Sequence, residues 1–214
     1  MSKLTGPLLS IGAQGQIGKT MVISKWKGIT YARQYVKPAN PQSTAQTSTR
    51  NAFAFLNAVW KVMAPAAQAP WNTYASGQPL TGRNAFIKTN LPLLRGDTDL
   101  QDLIWSNGAL GGLAPASAAF TPGDDQVTVT LTAPTLPTGW TTVAAHALVI
   151  VDQDYASPQT YVSSYGTDVS DPYSINITSL NDADAYVGGA WFSYTKPDGT
   201  TAYGPSINGT FTTT

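Results

Sequence analysis

Apolar and polar residues first alternate in residues 20–36, TMVISKWKGITYARQYV, which reads as two strands folded about Lys27-Gly28. Period-two alternation puts Ile29, Tyr31, Arg33, Tyr35 and Lys37 on one face, aromatic and basic together. The stretch KPANP ends the strand, and Asn40 as N-cap with Pro41 at the first helical position predicts a long helix after it. In that helix Ala52, Phe55, Leu56, Val59 and Met63 recur at mostly three- and four-residue spacing, with Phe53 and Trp60 adjoining, so one broad face is apolar. Pro65 interrupts the pattern. Shorter helices are predicted over residues 70–76, closed by Gly77, and 82–90, capped by Thr81 and stopped before Pro92.

Residues 94–119 turn to Gly, Ala, Ser and Asp and read as a linker with local anchors at Leu103, Ile104 and Trp105, which sets a domain boundary near Pro115. Short alternating runs follow at 126–132, 144–151, 161–164, 173–177, 185–195 and 202–212, the last two joined by a Pro197-Asp198-Gly199 turn. That pattern predicts an antiparallel β-sandwich of the immunoglobulin or fibronectin type III kind. The segment LNDADAY, ending at Tyr186, resembles the L-x-P-x-T-x-Y corner before strand F of fibronectin type III domains, with the Pro and Thr replaced, and predicts that the Tyr186 hydroxyl ties to nearby backbone. The expected fold class is thus α+β and multidomain: a hairpin-and-helix domain over 1–115 and an all-β sandwich over 116–214.

Charge sharpens this division. Up to Pro115 there are eleven Lys and Arg against Asp97, Asp99 and Asp102, a net +8; beyond it Lys196 alone opposes nine Asp, a net −8. The chain has no Glu and no acid before Asp97. Such a split suggests a basic end for an acidic surface or nucleic acid and an acidic end that aids solubility. No Cys is present, which excludes disulfides and thiolate metal sites, and a single His leaves little room for imidazole chemistry. No signal-peptide stretch or long apolar run occurs, so the expectation is a soluble chain with no membrane partner.

Few residues announce chemistry. GAQGQIGKT, residues 12–20, imitates a phosphate loop, but the first required Gly is Ala13 and the following TMVIS reads as strand, so the helix dipole that would face the phosphates is missing. Asp152, which ends an apolar run like a magnesium-binding partner strand, is explained equally by a central strand of the sandwich. The pairs Asp152/Asp154 and Asp182/Asp184 could offer oxygens to calcium, yet neither continues into a calcium-loop pattern, and solvated loop acids are the better reading. His146 has no identifiable nucleophile to activate and reads as a strand residue. No catalytic residue, metal or cofactor is therefore expected.

The basic, aromatic hairpin remains. Lys25, Lys27, Tyr31, Arg33, Tyr35, Lys37 and Arg50 are the candidate partner-binding residues. They fit a protein interface, bases stacked and phosphates held, or a plain half-solvated strand face. The interface reading leads, because no recognisable nucleic-acid-binding motif accompanies them. A further reading is a glycan- or receptor-binding adhesin using sandwich loops around Trp140, Tyr155 and Tyr165.

Gly12, Gly15, Gly18, Val22, Lys27-Gly28, Tyr31, Arg33, Asn40-Pro41, Gln46, Arg50 and Phe53, with Trp60, Trp71, Asn84 and Phe86, form a pattern. It resembles small proteins of unassigned function encoded by tailed bacteriophages, prophages and some Bacteroidetes. The likeness covers residues 12–86 and carries no catalytic residue. It implies a virion structural role, such as capsid decoration or another head or tail accessory, with other virion proteins as partners and a homo-oligomer or symmetric assembly.

Overall fold

The computed structural model describes residues 2–4, 14–37, 39–96, 100–107, 113–152 and 163–214. Gly12, Ala13, Asp97, Asp99, Asp154, Tyr155 and the start of the strand expected at 161–164 lie outside them. The chain divides into two compact units, Met1–Gln42 and Ser43–Thr214.

The first unit is a four-stranded antiparallel sheet of β1 (Ser2–Leu4), β2 (Gly15–Ile17), β3 (Met21–Trp26) and β4 (Ile29–Gln34), in the order β1-β4-β3-β2. Between the paired residues Trp26 and Ile29, Lys27 and Gly28 hold φ of 48° and 81°. Two positive φ values make a type I′ loop, whose twist matches that of the strands it joins. β2 reaches β3 through Gly18-Lys19-Thr20, closed by the Thr20 N–H and hydroxyl on the Ile17 carbonyl, each at 3.0 Å. The Gly-Lys-Thr triplet is thus a hairpin loop leading into a strand.

In the second unit the helices are α1 (Thr44–Val62), α2 (Pro65–Ala75) and α3 (Gly82–Gly96). The apolar face of α1 is as expected, with Ala52, Phe55, Leu56 and Val59 buried and Met63 following, while Phe53 stays 49% exposed. Its start is not: the cap is Ser43, because Gln42 at φ 45° stands outside helical space and a helix begun at Pro41 could not pass it. Pro65 opens α2 instead of merely interrupting, since a first-turn proline gives up no hydrogen bond, and Pro70 lies buried inside that helix. Gly77, at φ 79°, follows the α2 C-cap as expected. Thr81 Oγ1 accepts the Asn84 N–H at 3.3 Å at the start of α3. That helix runs through Pro92 to bury Leu94, a gain that offsets the hydrogen bond the proline cannot donate.

β5 (Ser117–Gly123), β6 (Gln126–Thr132) and β9 (Tyr173–Thr178) form one sheet; β8 (Ser163–Asp168), β7 (Thr141–Val151) and β10 (Ala185–Thr195) form the other, whose far edge is split between β11 (Thr201–Tyr203) and β12 (Ile207–Thr212). β5 was not expected from sequence, and the single last run is broken by Gly204-Pro205-Ser206. The two sheets meet over Val127, Val129, Ile175, Ile177, Ala147, Val149 and Phe192. The Asn181 N–H donates to the Tyr186 hydroxyl at 2.7 Å, the corner predicted for that tyrosine. Strand order and corner together make this an immunoglobulin-like sandwich joined to helices, an α+β fold.

The boundary expected near Pro115 does not hold. Leu148, Ile150, Val187 and Trp191 point away from the other sheet into a second core shared with Phe55, Trp71, Phe86, Leu103 and Trp105. Leu94, Leu100, Leu103 and Trp105 of the supposed linker are part of it. Asn90 Nδ2 donates to the Ile104 carbonyl at 3.0 Å and its Oδ1 accepts the Ile104 N–H at 2.7 Å, while Trp71 Nε1 donates to the Trp105 carbonyl at 2.9 Å. Ser106 Oγ donates to the Gly204 carbonyl at 2.7 Å. Helices and sandwich form three layers around two cores, and the division falls at Gln42/Ser43. Among the described residues no helix is long and apolar enough to cross a membrane.

Candidate interaction surface

Paired residues in an antiparallel ladder share a face, so the β3–β4 register sorts the predicted site residues. Val22 pairs with Arg33, Ser24 with Tyr31 and Trp26 with Ile29. That face carries Tyr31 and Arg33 as expected and adds Trp26, 66% exposed, beside Ile29, 45% exposed. Lys27 in the turn sets its Nζ 5.1 Å from the Trp26 ring centroid, a cation–π contact at the tip. The Tyr35 N–H donates to the Thr20 carbonyl at 2.8 Å, extending the ladder one step past β4, and Lys37 lies exposed beyond it.

Two expected members are elsewhere. Lys25 pairs with Thr30 and shares the opposite face with Ile23 and Ala32, because a one-residue step along a strand reverses the side chain. Arg50 is an exposed residue of α1, in the second compact unit. Trp26 was missed in the sequence, although its signal was present: a two-residue loop fixes the register and so places Trp26 on the Tyr31 face. The whole first unit, Met1–Gln42, holds six Lys and Arg and no acid, so the field over this face has one sign.

Other chemical candidates resolve as follows. Asp182 groups with Asp124 and Asp125, not with Asp184; the three carboxylates lie within 4.8 Å of one another and are exposed. The charge of Asp182 beside it, followed by their hydrogen bond, raises the Asp125 carboxyl above its ordinary value. Asp184 instead accepts from Asn181 Nδ2 at 3.1 Å. Of the residues considered for an adhesin, Tyr165 faces the helical layer and bonds His146, whereas Trp140 precedes β7, with Lys196 Nζ 5.9 Å from its ring. Tyr165 pairs with Leu148, eight residues along the chain from Trp140, which puts the two roughly 26 Å apart at the usual strand rise.

His146 does have a hydroxyl partner, contrary to the sequence reading. Its Nε2 lies 2.8 Å from Ser193 Oγ and its Nδ1 2.5 Å from the Tyr165 hydroxyl. Ser193 donates to the Ala144 carbonyl at 3.3 Å, which assigns Nε2–H as donor to Ser193 and Tyr165 O–H as donor to Nδ1. Burial lowers the His146 pKa to about 4, so the ring is neutral near pH 7. Ser193 is only 4% exposed, which makes this chain of bonds a packing element of the helix-facing side. A polar cleft of about 350 Å³, lined by Gln101, Asp102, Asn208, Gly209 and Thr210, does not include it.

No family model matches the chain, and no curated protein matches it. Solved structures similar to part of it include a computationally redesigned β-sandwich protein, at 19% identity over 47% of this chain and 88% of that one, with a TM-score of 0.34. Murine CRIg is another, at 12% identity over 45% and 94% of the respective chains, with a TM-score of 0.24.

Proposed function

We propose that this protein is a structural component of a bacteriophage particle, a capsid decoration or other head or tail accessory, which docks through its N-terminal sheet and displays its immunoglobulin-like module. The observation that carries the docking part is the β3–β4 face, where exposed Trp26 and Ile29 stand beside Lys27 at the tip and Tyr31 and Arg33 follow along the same face, in a unit without acids. Interfaces favour such residues: aromatic anchors supply apolar area, and a one-signed field speeds encounter with an acidic partner. The phage part is supported by the resemblance of residues 12–86. On this reading the partners are other virion proteins, the assembly is symmetric, and the sandwich, with its fibronectin-like corner at Tyr186, performs no reaction. Mass spectrometry of purified particles should find the protein in stoichiometric amount; its absence from particles that are complete sinks the assignment.

The same face favours a second reading, nucleic-acid binding, because Trp26 and Tyr31 could stack on bases while Lys27 and Arg33 hold phosphates. Affinity for single-stranded DNA would then fall steeply with salt, with a slope of about −0.7 per phosphate neutralised. No signal in a low-salt titration against single- and double-stranded DNA eliminates it.

A further inference from the structure

The two compact units divide the charge evenly. Met1–Gln42 has six Lys and Arg and no acid, while Ser43–Thr214 has six Lys and Arg against twelve Asp, so a neutral chain consists of a +6 and a −6 unit. A molecule charged in this way is complementary to its own copies. On the basic unit Trp26 and Ile29 form an exposed apolar pair, with Lys27 beside it in the turn and Arg33 farther along the same face. On the acidic unit the β5–β6 turn and the corner before β10 bring together the exposed Asp124, Asp125 and Asp182. Each influence that raises the Asp125 carboxyl comes from burial or from a neighbouring acid, and no cation contributes.

We propose that the sheet face is occupied by the acidic sandwich of a second copy of this chain, in a head-to-tail contact. This rests on the docking role of the face given above and names its partner. The two surfaces differ, so the contact is heterologous: each bound copy still offers one unused surface of each kind, and repetition builds a ring or a filament. Trp26 and Ile29 supply the apolar centre, while the opposed charges set register and encounter rate.

Sedimentation of the full chain tests this. The wild type should associate at low salt and dissociate about tenfold more readily near 1 M salt, where the screening length falls to about 3 Å. A sheet variant, W26A/R33Q, and a sandwich variant, D124N/D125N/D182N, should each sediment as a monomer. Mixed in equal amounts they should give a two-chain complex and nothing larger, because only one intact sheet and one intact sandwich face meet. Melting curves report whether each variant is folded; if W26A/R33Q is not, K27Q/R33Q, which changes only exposed charges, takes its place. A wild type that stays monomeric at every salt concentration overturns the proposal, as does a mixture that forms no complex. If that monomer still binds particles, the docking reading stands without self-association; if it does not, both fall.

Discussion

At the scale of single residues, His146 ties the strand register to pH. It faces Tyr165 and Ser193 across diagonal positions of β8 and β10, and its ring stacks 5.7 Å from that of Trp191. Burial lowers its pKa to about 4, so between about pH 6.5 and 4 the unfolded chain binds a proton that the folded chain refuses. Its contribution is complete above the unfolded value and is lost as pH falls towards the folded one, about 3 kcal/mol in all. Denaturation midpoints measured across that window should decline for the wild type and much less for H146Q. Tyr186→Phe should cost about 1 kcal/mol, the usual worth of the bond lost from the Asn181 N–H, read from urea unfolding. Gly189→Ala should cost about 1–3 kcal/mol, because an added Cβ would lie 2.2 Å from Trp105 Cδ1. The tyrosine could be foreseen because its corner is written in consecutive residues. The partners of His146 could not, since Tyr165 and Ser193 meet it only once two strand registers are set.

At the scale of elements, β7 and β10 explain both what the sequence disclosed and what was misread. β6 and β9 alternate buried and exposed residues, as strands with one wet face must, and both were placed to within a residue. β7 and β10 are instead apolar almost throughout, and β10 is buried from Tyr186 to Tyr194. A strand of that composition needs cover on both faces, and among the described residues the amphipathic elements that provide it are the helices before it. Had that requirement been applied, a boundary near Pro115 would have been excluded, because it strips the cover from Leu148, Ile150, Val187 and Trp191. The Gly- and Ser-rich composition around Leu103 and Trp105 pointed the other way, since local composition says nothing about which side chains a sheet 40 or more residues later will require. A chain of residues 116–214 should therefore aggregate or lack a cooperative melt, whereas residues 43–214 should unfold in one transition. Calorimetry on the two pieces checks this, and a cooperative 116–214 piece contradicts it.

At the scale of the whole molecule, the charge asymmetry read from the sequence gains a sharper form. Moving the dividing point from Pro115 to Gln42 leaves the first unit with no acid at all and assigns Arg50 to the acidic unit, which sets the hairpin apart as the proposed docking element. Of the candidate site, the shared face of Tyr31 and Arg33 was legible because period-two alternation needs no tertiary information, and the place of Lys27 because the Lys27-Gly28 turn is written in consecutive residues. Lys25, counted for its charge without a face, lies on the opposite one. The central claim is that docking resides in Met1–Gln42, and its most direct test is co-sedimentation with purified particles of the full chain and of residues 43–214, both confirmed folded by circular dichroism. The account predicts that the full chain pellets and is released by salt, while residues 43–214 remain in the supernatant. Equal binding by the two would contradict it.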